Sequence, residues 1–333
     1  MTDSPIVFSI IIPFKMWSAD LDECLQHINK LVFQKFEVIL LPDESLKVSD
    51  AYQNMPLTVI TTGPVNPALK RDKGAERSQG QFLVFIDDDA YPPSDWLNIA
   101  HKTLKNREDI VAIGGPASTP QNDPFWARVS GAVFLSQFSG GFPERYIPCP
   151  PSRPVDDWPT VNLIVSREVF QQVGGFDSKF WPGEDTHLCL KIINKTSKKI
   201  LYVPEMLVWH HRRSKLWKHL RQVGNYGLHR GYFVKIFPKT SKRLKYFIPT
   251  LWVVFVLTGP LMVAAFSWGE MLYIAGWVLY LATLMLSWVD IQRHETPKVA
   301  TGAIPFIVLT HLWYGLKFFQ GLVTKKLQGS LGR

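Results

Sequence analysis

Two long uncharged apolar runs, separated by two residues, constrain this chain more than any other feature. "YFIPTLWVVFVLTGPLMVAAFSW" covers 246–268 and "MLYIAGWVLYLATLMLSWV" covers 271–289. Each is close to the ~20 residues that cross a bilayer as a helix. Backbone in hydrocarbon must satisfy its own hydrogen bonds, so helices are the form available to such segments. Trp and Tyr stand near the run ends, as interface anchors do, and the connecting "GE" permits only a tight hairpin. The alternative, a buried core hairpin, would require covering both runs with other protein. A third run, "AIPFIVLTHLWYGLKFFQGLV" at 303–323, contains His311, Lys317 and Gln320. Arg293 and Lys298 follow the second run; Lys325, Lys326 and Arg333 follow the third. If the basic sequence before residue 246 is cytoplasmic, two crossings obey the positive-inside rule and a third would export the basic tail. The third run therefore reads either as a re-entrant or interfacial segment or as a third span.

Charge is as uneven as hydrophobicity. The 333 residues carry a net charge of +9, yet 212–245 alone holds eleven Lys/Arg and no Asp or Glu. The remainder is slightly acidic. A basic stretch can serve nucleic acid, but this one leads directly into apolar sequence, which points to anionic membrane lipids and away from nucleic acid. The three cysteines form no CxxC pair, so neither a disulfide framework nor a zinc site is indicated and a reducing compartment is expected. "MTDSPIVFSIIIPF" lacks a basic n-region and a cleavage site, and reads as a first strand rather than a signal peptide.

Residues 1 to about 210 read as α/β. "VFSIIIPF", "FEVILLP" and "LTVITTG" are short buried-strand candidates. "ADLDECLQHINKLV" spaces Leu21, Cys24, Leu25, Ile28 and Leu31 as one helical face. "NPALKRDKGAERSQG" offers Asn66 as N-cap and Pro67 at the first helical position. Strands alternating with helices predict a mostly parallel sheet covered on both faces. "FLVFIDDDAYP" (82–92) then ends an apolar strand in three aspartates. Open parallel sheets bind ligands at the carboxyl ends of their strands, and period-two alternation puts Asp87 and Asp89 on one side with Asp88 opposite. Two carboxylates on one side suit a divalent cation that keeps its other positions for water and phosphate. A solvated loop capping the next helix is the alternative. "WPGEDTHLCLKI" (181–192) sets Glu184 and Asp185 at a helix start, where the dipole stabilises anions. They could simply cap the helix, or one could act as a general base toward an attacking hydroxyl.

"SIIIPFK", "FEVILLPDES", "KRDKG", "FLVFIDDDAYP", "VNLIVSREVFQQVGGFD" and "WPGEDTHLCLKI" occur in the order found in family 2 glycosyltransferases of the GT-A fold, which residues 6–230 resemble. With the apolar C-terminal part and "THLWYGLKFFQGL", the chain is most similar to membrane-attached bacterial transferases of exopolysaccharide or cell-envelope glycan assembly. The resemblance implies that Asp87 and Asp89 hold Mg2+ or Mn2+, with the aspartates, Asp88 included, contacting the nucleotide sugar. It implies Asp185 as the base with Glu184 in support. Arg71 and Asp72, from "KRDKG", would line the nucleotide pocket with Pro13, and Asp43 would bind base or ribose. The motif around Asp43 departs from the family's: Pro42 stands where an aspartate is usual and Glu44 where a glycine is, which leaves the nucleotide open.

Other stretches carry weaker signals. "VGGFD" (173–177) reads as a turn needing glycine's conformational freedom, and Gly114, Gly115 and Pro116 as a bend beneath the sugar. Asn162, with Asp156, Asp157 and Trp158 before it, lines either the acceptor side or a packing loop. His210 and His211 are adjacent on a strand, so their side chains should point opposite ways, which disfavours a two-histidine zinc site. From Ser214, Leu216, Trp217, Leu220 and Val223 oppose Lys215, Lys218, Arg221 and Gln222, the pattern of an interfacial amphipathic helix. Some processive relatives carry QxxRW here; "RQVGNYG" has no RW, which argues against processive polymerisation. Arg221 or Arg230 is a candidate to neutralise the leaving diphosphate.

The expected organisation is a GT-A (Rossmann-like) catalytic domain at 1–210, a basic interfacial segment at 211–245, and a helical membrane region at 246–333 with two or three helices. The expected activity is inverting, metal-dependent transfer from a nucleoside-diphosphate sugar to a membrane-associated, lipid-linked saccharide, at the cytoplasmic (inner) membrane with the catalytic domain facing the cytoplasm. Alternatives are a synthase using bare polyprenyl phosphate and a non-catalytic nucleotide-binding scaffold. A nucleotidyltransferase would need a Gly-rich N-terminal loop, which "IIPFKMWSAD" lacks.

Overall fold

A computed structural model describes residues 5–176 and 178–327; Asp177 of the "VGGFD" turn and Arg333 of the basic tail lie outside the described residues. In chain order the elements are β1 (Phe8–Pro13), α1 (Ala19–Ile28), β2 (Phe36–Leu41), β3 (Leu57–Val59), α2 (Pro67–Arg77), β4 (Phe82–Ile86), β5 (Ala90–Tyr91), α3 (Trp96–Leu104), β6 (Ile110–Gly114), β7 (Ala117–Ser118) and α4 (Phe125–Ala132). Then follow β8 (Arg153–Val155), β9 (Asn162–Ser166), α5 (Arg167–Val173), α6 (Glu184–Thr196), β10 (Lys199–Tyr202), β11 (Val208–His210), α7 (Leu216–Ile236), α8 (Pro238–Ser241), α9 (Leu244–Ala265), α10 (Gly269–Gln292) and α11 (Pro297–Val323). They form two compact units. One comprises 5–118 and 147–211; the other comprises 119–146 and 212–327.

The first unit is built on an eight-stranded sheet of order β3-β2-β1-β4-β9-β6-β10-β8. The β1–β2, β1–β4, β2–β3 and β6–β10 pairs are parallel. β9 runs antiparallel to both β4 and β6, and β8 antiparallel to β10. The sheet is thus mostly parallel, with reversed strands where the chain returns from the 119–146 excursion. Alternation along β1 sends Ile10 and Ile12 into a core under α1 and α3, and Ile11 into a second core under α2, α5 and α6. The helix starts follow local chemistry: Ser18 caps α1 through Leu21 N, and Asn66 caps α2 through Leu69 N with Pro67 in its first turn. Gly174 and Gly175 have φ of +82° and +59°, so the tight turn after α5 needs glycine. A small second sheet, β5-β11-β7, joins the aspartate turn to the chain end of this unit.

In the second unit α9, α10 and α11 are each long and apolar enough to cross a membrane. α9 and α10 leave most of their length exposed, whereas α11 packs lengthwise on α7 and is more covered. Glycines allow the close approach: a Cβ on Gly231 would lie 2.1 Å from Phe318 O, and one on Gly321 2.1 Å from Leu228 O. This changes the expected face of α7. The buried residues are His219, Val223, Gly224, Gly227, His229, Gly231 and Phe233, while Trp217 is exposed; at the glycines, backbone contact with α11 needs small residues rather than bulky apolar ones. Residues 119–146 join this unit through polar ties that a boundary near 210 does not anticipate. Arg128 pairs with Glu295, Ser136 Oγ donates to Asp290 at 2.8 Å, and His311 Nε2 lies 2.8 Å from Ser139 O.

Candidate active site

At the carboxyl end of the sheet in the first unit, one buried arginine connects two acidic motifs. β4 ends at Ile86, and Asp87–Asp89 form a turn before β5. The chain has left the strand there, so the turn, rather than strand alternation, decides where the carboxylates go. Asp87 and Asp89 nevertheless share one cluster, as expected, and His210 joins them: one ligand atom from each lies within 4.8 Å of the others. His210 Nε2 stands 3.1 Å from Asp89 Oδ1. β11 brings it there by pairing antiparallel with β5, His210 opposite Ala90. His211 points the other way, to Glu23 at 2.9 Å. The alternation argument for the two histidines holds, and it leaves one of them with the aspartates, a role the sequence does not disclose because the β5–β11 pairing is tertiary. Burial first, then Asp89 and Asp87, raises the Asp88 carboxyl to about 7.

Arg71, on α2, directs Nη2 to Asp87 Oδ1 at 2.6 Å and Nη1 to Glu184 Oε1 at 3.0 Å. Its side chain and that of Glu184 are almost wholly buried, and its Nε has no hydrogen-bond partner. A buried donor without a partner is costly, which fits a site that receives a further acceptor. Glu184 opens α6 after Gly183, whose φ is +114°; Gly183 N donates to Glu184 Oε2 at 3.0 Å. Burial and the adjacent Asp185 carboxylate raise the Glu184 pKa, and the Arg71 guanidinium opposes them. Asp185, in the same turn, is half-buried; its Oδ1 accepts from Thr186 N at 2.7 Å. Thr186 Oγ1 in turn donates to Asp157 at 3.0 Å.

The remaining sequence candidates divide by location. Pro13, buried, ends β1 beside Leu41 of β2. Asp43, just past β2, pairs with the buried Lys70 at 2.7 Å, and Lys70 Nζ also donates to Leu41 O at 2.9 Å. Lys70 was not singled out by sequence; its burial at two strand ends is its only signal. Asp72 faces away from Arg71's partners and accepts from Phe176 N at 2.8 Å, fixing the glycine turn; burial raises its pKa to about 6. Trp158 and Asn162 are core residues. Trp158 Nε1 donates to Gly115 O at 3.0 Å, and Asn162 bonds Pro116 O, Met206 O and Trp96 Nε1. Gly114 and Gly115 bend where Cβ atoms would collide with Trp158 and Met206. Arg221 and Arg230 belong to α7 of the second unit, Arg221 exposed and Arg230 half-buried.

Asp87, Asp89 and His210 fit a divalent cation. Two carboxylates and an imidazole, all reachable from one point, form a hard-to-borderline donor set suited to Mn2+ and tolerable for Mg2+. A mostly parallel sheet with acidic motifs and a cation-ready cluster at its carboxyl edge is the arrangement of a glycosyltransferase of GT-A-like fold. Residues 9–174 match the family described as Glycosyl transferase family 2, and the chain belongs to that family. A glucosyl-dolichyl phosphate glucuronosyltransferase of Haloferax volcanii is 25% identical over 208 residues, 56% of this chain and 63% of that protein. Glycosyltransferase AglE of the same organism is 24% identical over 197 residues, again 56% of this chain and 61% of its own length. The chain thus spans less than two thirds of these relatives. The solved structure of mannosyltransferase PcManGT from Pyrobaculum calidifontis, in complex with GDP-Man and Mn2+, has the same fold. Its TM-score is 0.63 at 15% identity, covering 93% of this chain and 86% of that one.

Proposed function

We propose that the protein transfers a sugar, with inversion, from a nucleoside-diphosphate sugar to a lipid-linked acceptor at the membrane. The observation that carries this reading is the Arg71 bridge, which links the carboxylate of Asp87 to that of Glu184. It puts the aspartate turn and the start of α6 about one buried cation. Asp87, Asp89 and His210 would hold Mn2+ or Mg2+, which when bound neutralises diphosphate charge. Asp43, just past β2, and Lys70 of α2, whose ammonium group reaches the end of β2, would bind the nucleoside side. Arg71 would orient Glu184 and oppose the burial that favours its protonated form, and offer its remaining Nε–H to the donor. Asp185 would accept the proton of the attacking acceptor hydroxyl, leaving Glu184 to hold the turn.

A lipid-linked acceptor is supported by the three apolar helices and by the Haloferax relative, whose name places its own substrate on dolichyl phosphate. The same features support attachment to the cytoplasmic membrane, with the basic 212–245 stretch on the cytoplasmic side next to anionic lipids. The dense packing of α11 on α7, which carries Lys218, Arg221 and Arg230, supports an interfacial or re-entrant α11 over an independent span. The test is a panel of UDP-, GDP- and dTDP-sugars offered to membranes holding the full chain, with nucleotide release followed with and without chelator. Release of one nucleotide, dependent on lipid extract and abolished by chelator, is expected; chelator-independent release would remove the cation from the reading.

A further inference from the structure

We infer that Lys70 is a positioning residue: of the two residues given above to the nucleoside side, Asp43 makes the contact and Lys70 sets it, which rests on the transferase reading. Both belong to the first unit. The Lys70 ammonium group has three N–H bonds, and three acceptors surround it. They are Phe14 O just past β1, Leu41 O at the end of β2 at 2.9 Å, and Asp43 Oδ1 at 2.7 Å. The Lys70 side chain is 4% exposed and that of Asp43 10%, so the carboxylate is the member of the pair nearer a ligand's reach.

A tie between strands does not by itself account for the buried cation. β1 and β2 already pair in parallel register over six residues, Phe8–Pro13 against Phe36–Leu41, and burying an ammonium group is costly unless it is paired. What Lys70 adds to those ladder bonds is a fixed place for the Asp43 carboxylate. The backbone of Asp43 is held too: its N–H donates to Lys15 O at 3.2 Å, and its carbonyl accepts from Gly63 N at 3.1 Å. One turn along α2, Lys73 Nζ donates to Thr62 O at 3.1 Å, and Thr62 Oγ1 donates to Pro42 O at 2.9 Å. One helix thus holds the loops after β1, β2 and β3 around Asp43. A recognition group held in advance loses little freedom on binding, which favours affinity.

The next residue of α2, Arg71, reaches Asp87. The sheet order β2-β1-β4 puts two strand spacings between the ends that carry Asp43 and Asp87, about 10 Å. Ligands of such sheets lie across the carboxyl ends of the strands. A nucleoside diphosphate with its phosphates by Asp87 therefore extends its ribose and base toward Asp43, whose carboxylate accepts from a hydroxyl or a base N–H.

The experiment uses the full chain in detergent. UDP, GDP and dTDP are titrated with Mn2+ present, Mn2+–pyrophosphate is titrated separately, and steady-state transfer gives KM and kcat for the donor. Lys70→Met should weaken binding of the preferred nucleotide about tenfold and raise the donor KM to match, with kcat and pyrophosphate affinity within about twofold. Pyrophosphate lacks the nucleoside, so a general fault in the sheet would move both affinities. In an Asp43→Asn background Lys70→Met should cost less than about twofold more, because its effect passes through the carboxylate. Lys70→Arg keeps the charge but not three N–H bonds on one nitrogen; it should fold even where Lys70→Met does not, and show the same selective loss. Wild-type nucleotide affinity in either Lys70 variant would overturn the inference. So would an equal loss of pyrophosphate affinity, or a full tenfold loss by Lys70→Met on top of Asp43→Asn, which would make Lys70 a direct contact. Binding of none of the three nucleotides by the wild type would overturn it too. Lys70-dependent nucleotide binding by a protein that releases no nucleotide from any sugar donor would sink the transferase reading and leave this positioning role standing.

Discussion

Arg71 Nη2 lies 2.6 Å from Asp87 Oδ1 while the same guanidinium holds Glu184. A residue of α2 thereby joins the turn after β4 to the start of α6. Removing it leaves Glu184 buried without its counter-charge, a loss of about 3–5 kcal/mol for a buried pair. Arg71→Ala should show a lowered Tm and no transfer. Arg71→Lys restores the charge but not the fork; it should fold, with kcat reduced about 100-fold. An Arg71→Lys enzyme of normal kcat would make the bridge purely structural.

Asp185→Asn should lower transfer by about 10²–10⁴-fold, the usual worth of a general base, and leave nucleotide affinity within about twofold. Calorimetric titration of the nucleotide beside single-turnover transfer separates the two effects. Wild-type turnover in this variant excludes Asp185 as base.

His210→Ala removes one of three donors facing a common point. Mn2+ affinity, read by paramagnetic resonance of the free ion, should fall about tenfold or more. His211→Ala, whose ring faces Glu23, should leave it unchanged. Equal effects of the two substitutions would argue against His210 as a ligand.

His219 gives the second unit a pH dependence. Its Nδ1 lies 2.8 Å from Ser130 Oγ and its Nε2 2.8 Å from Thr310 Oγ1, and burial lowers its pKa from 6.5 to about 4. The unfolded chain takes up this proton first as pH falls. The stability associated with His219 is therefore complete above about pH 6.5 and lost progressively down to about pH 4, amounting to about 3 kcal/mol. Tm measured in detergent should fall across that window, and His219→Gln should flatten the change.

Gly231→Ala places a methyl 2.1 Å from Phe318 O in the α7–α11 contact. Backbone must shift, at a cost of about 1–3 kcal/mol. A lower Tm with nucleotide affinity retained in the first unit is expected; an unchanged Tm would mean that the helices separate freely.

Much of the fold is legible because its signals are local. Asn66 and Pro67 start α2, alternation along β1 divides Ile11 from Ile10 and Ile12, and the uncharged runs become α9 and α10. The acidic motifs are legible for the same reason: Asp87–Asp89 follow an apolar strand, and Glu184 and Asp185 follow a glycine at a helix start. Less legible was anything that depends on a partner far away in the chain. Trp158 and Asn162 look as available as Asp185 in sequence, and only the packing of β9 against β4 and β6 buries Asn162 with its polar atoms occupied.

The sequence by itself determined β1 to β4, α1, α2 and the start of α6, the apolar helices, and the residue types able to hold a cation and take a proton. These follow from spacing, capping and hydropathy, which act over a few residues. Only the tertiary structure decided that His210 and not His211 joins the aspartates, that Arg71 serves two carboxylates at once, and that residues 119–146 belong with the apolar helices. Each of these depends on the direction in which a side chain leaves a strand, turn or helix, and on what lies more than a dozen residues away when it arrives.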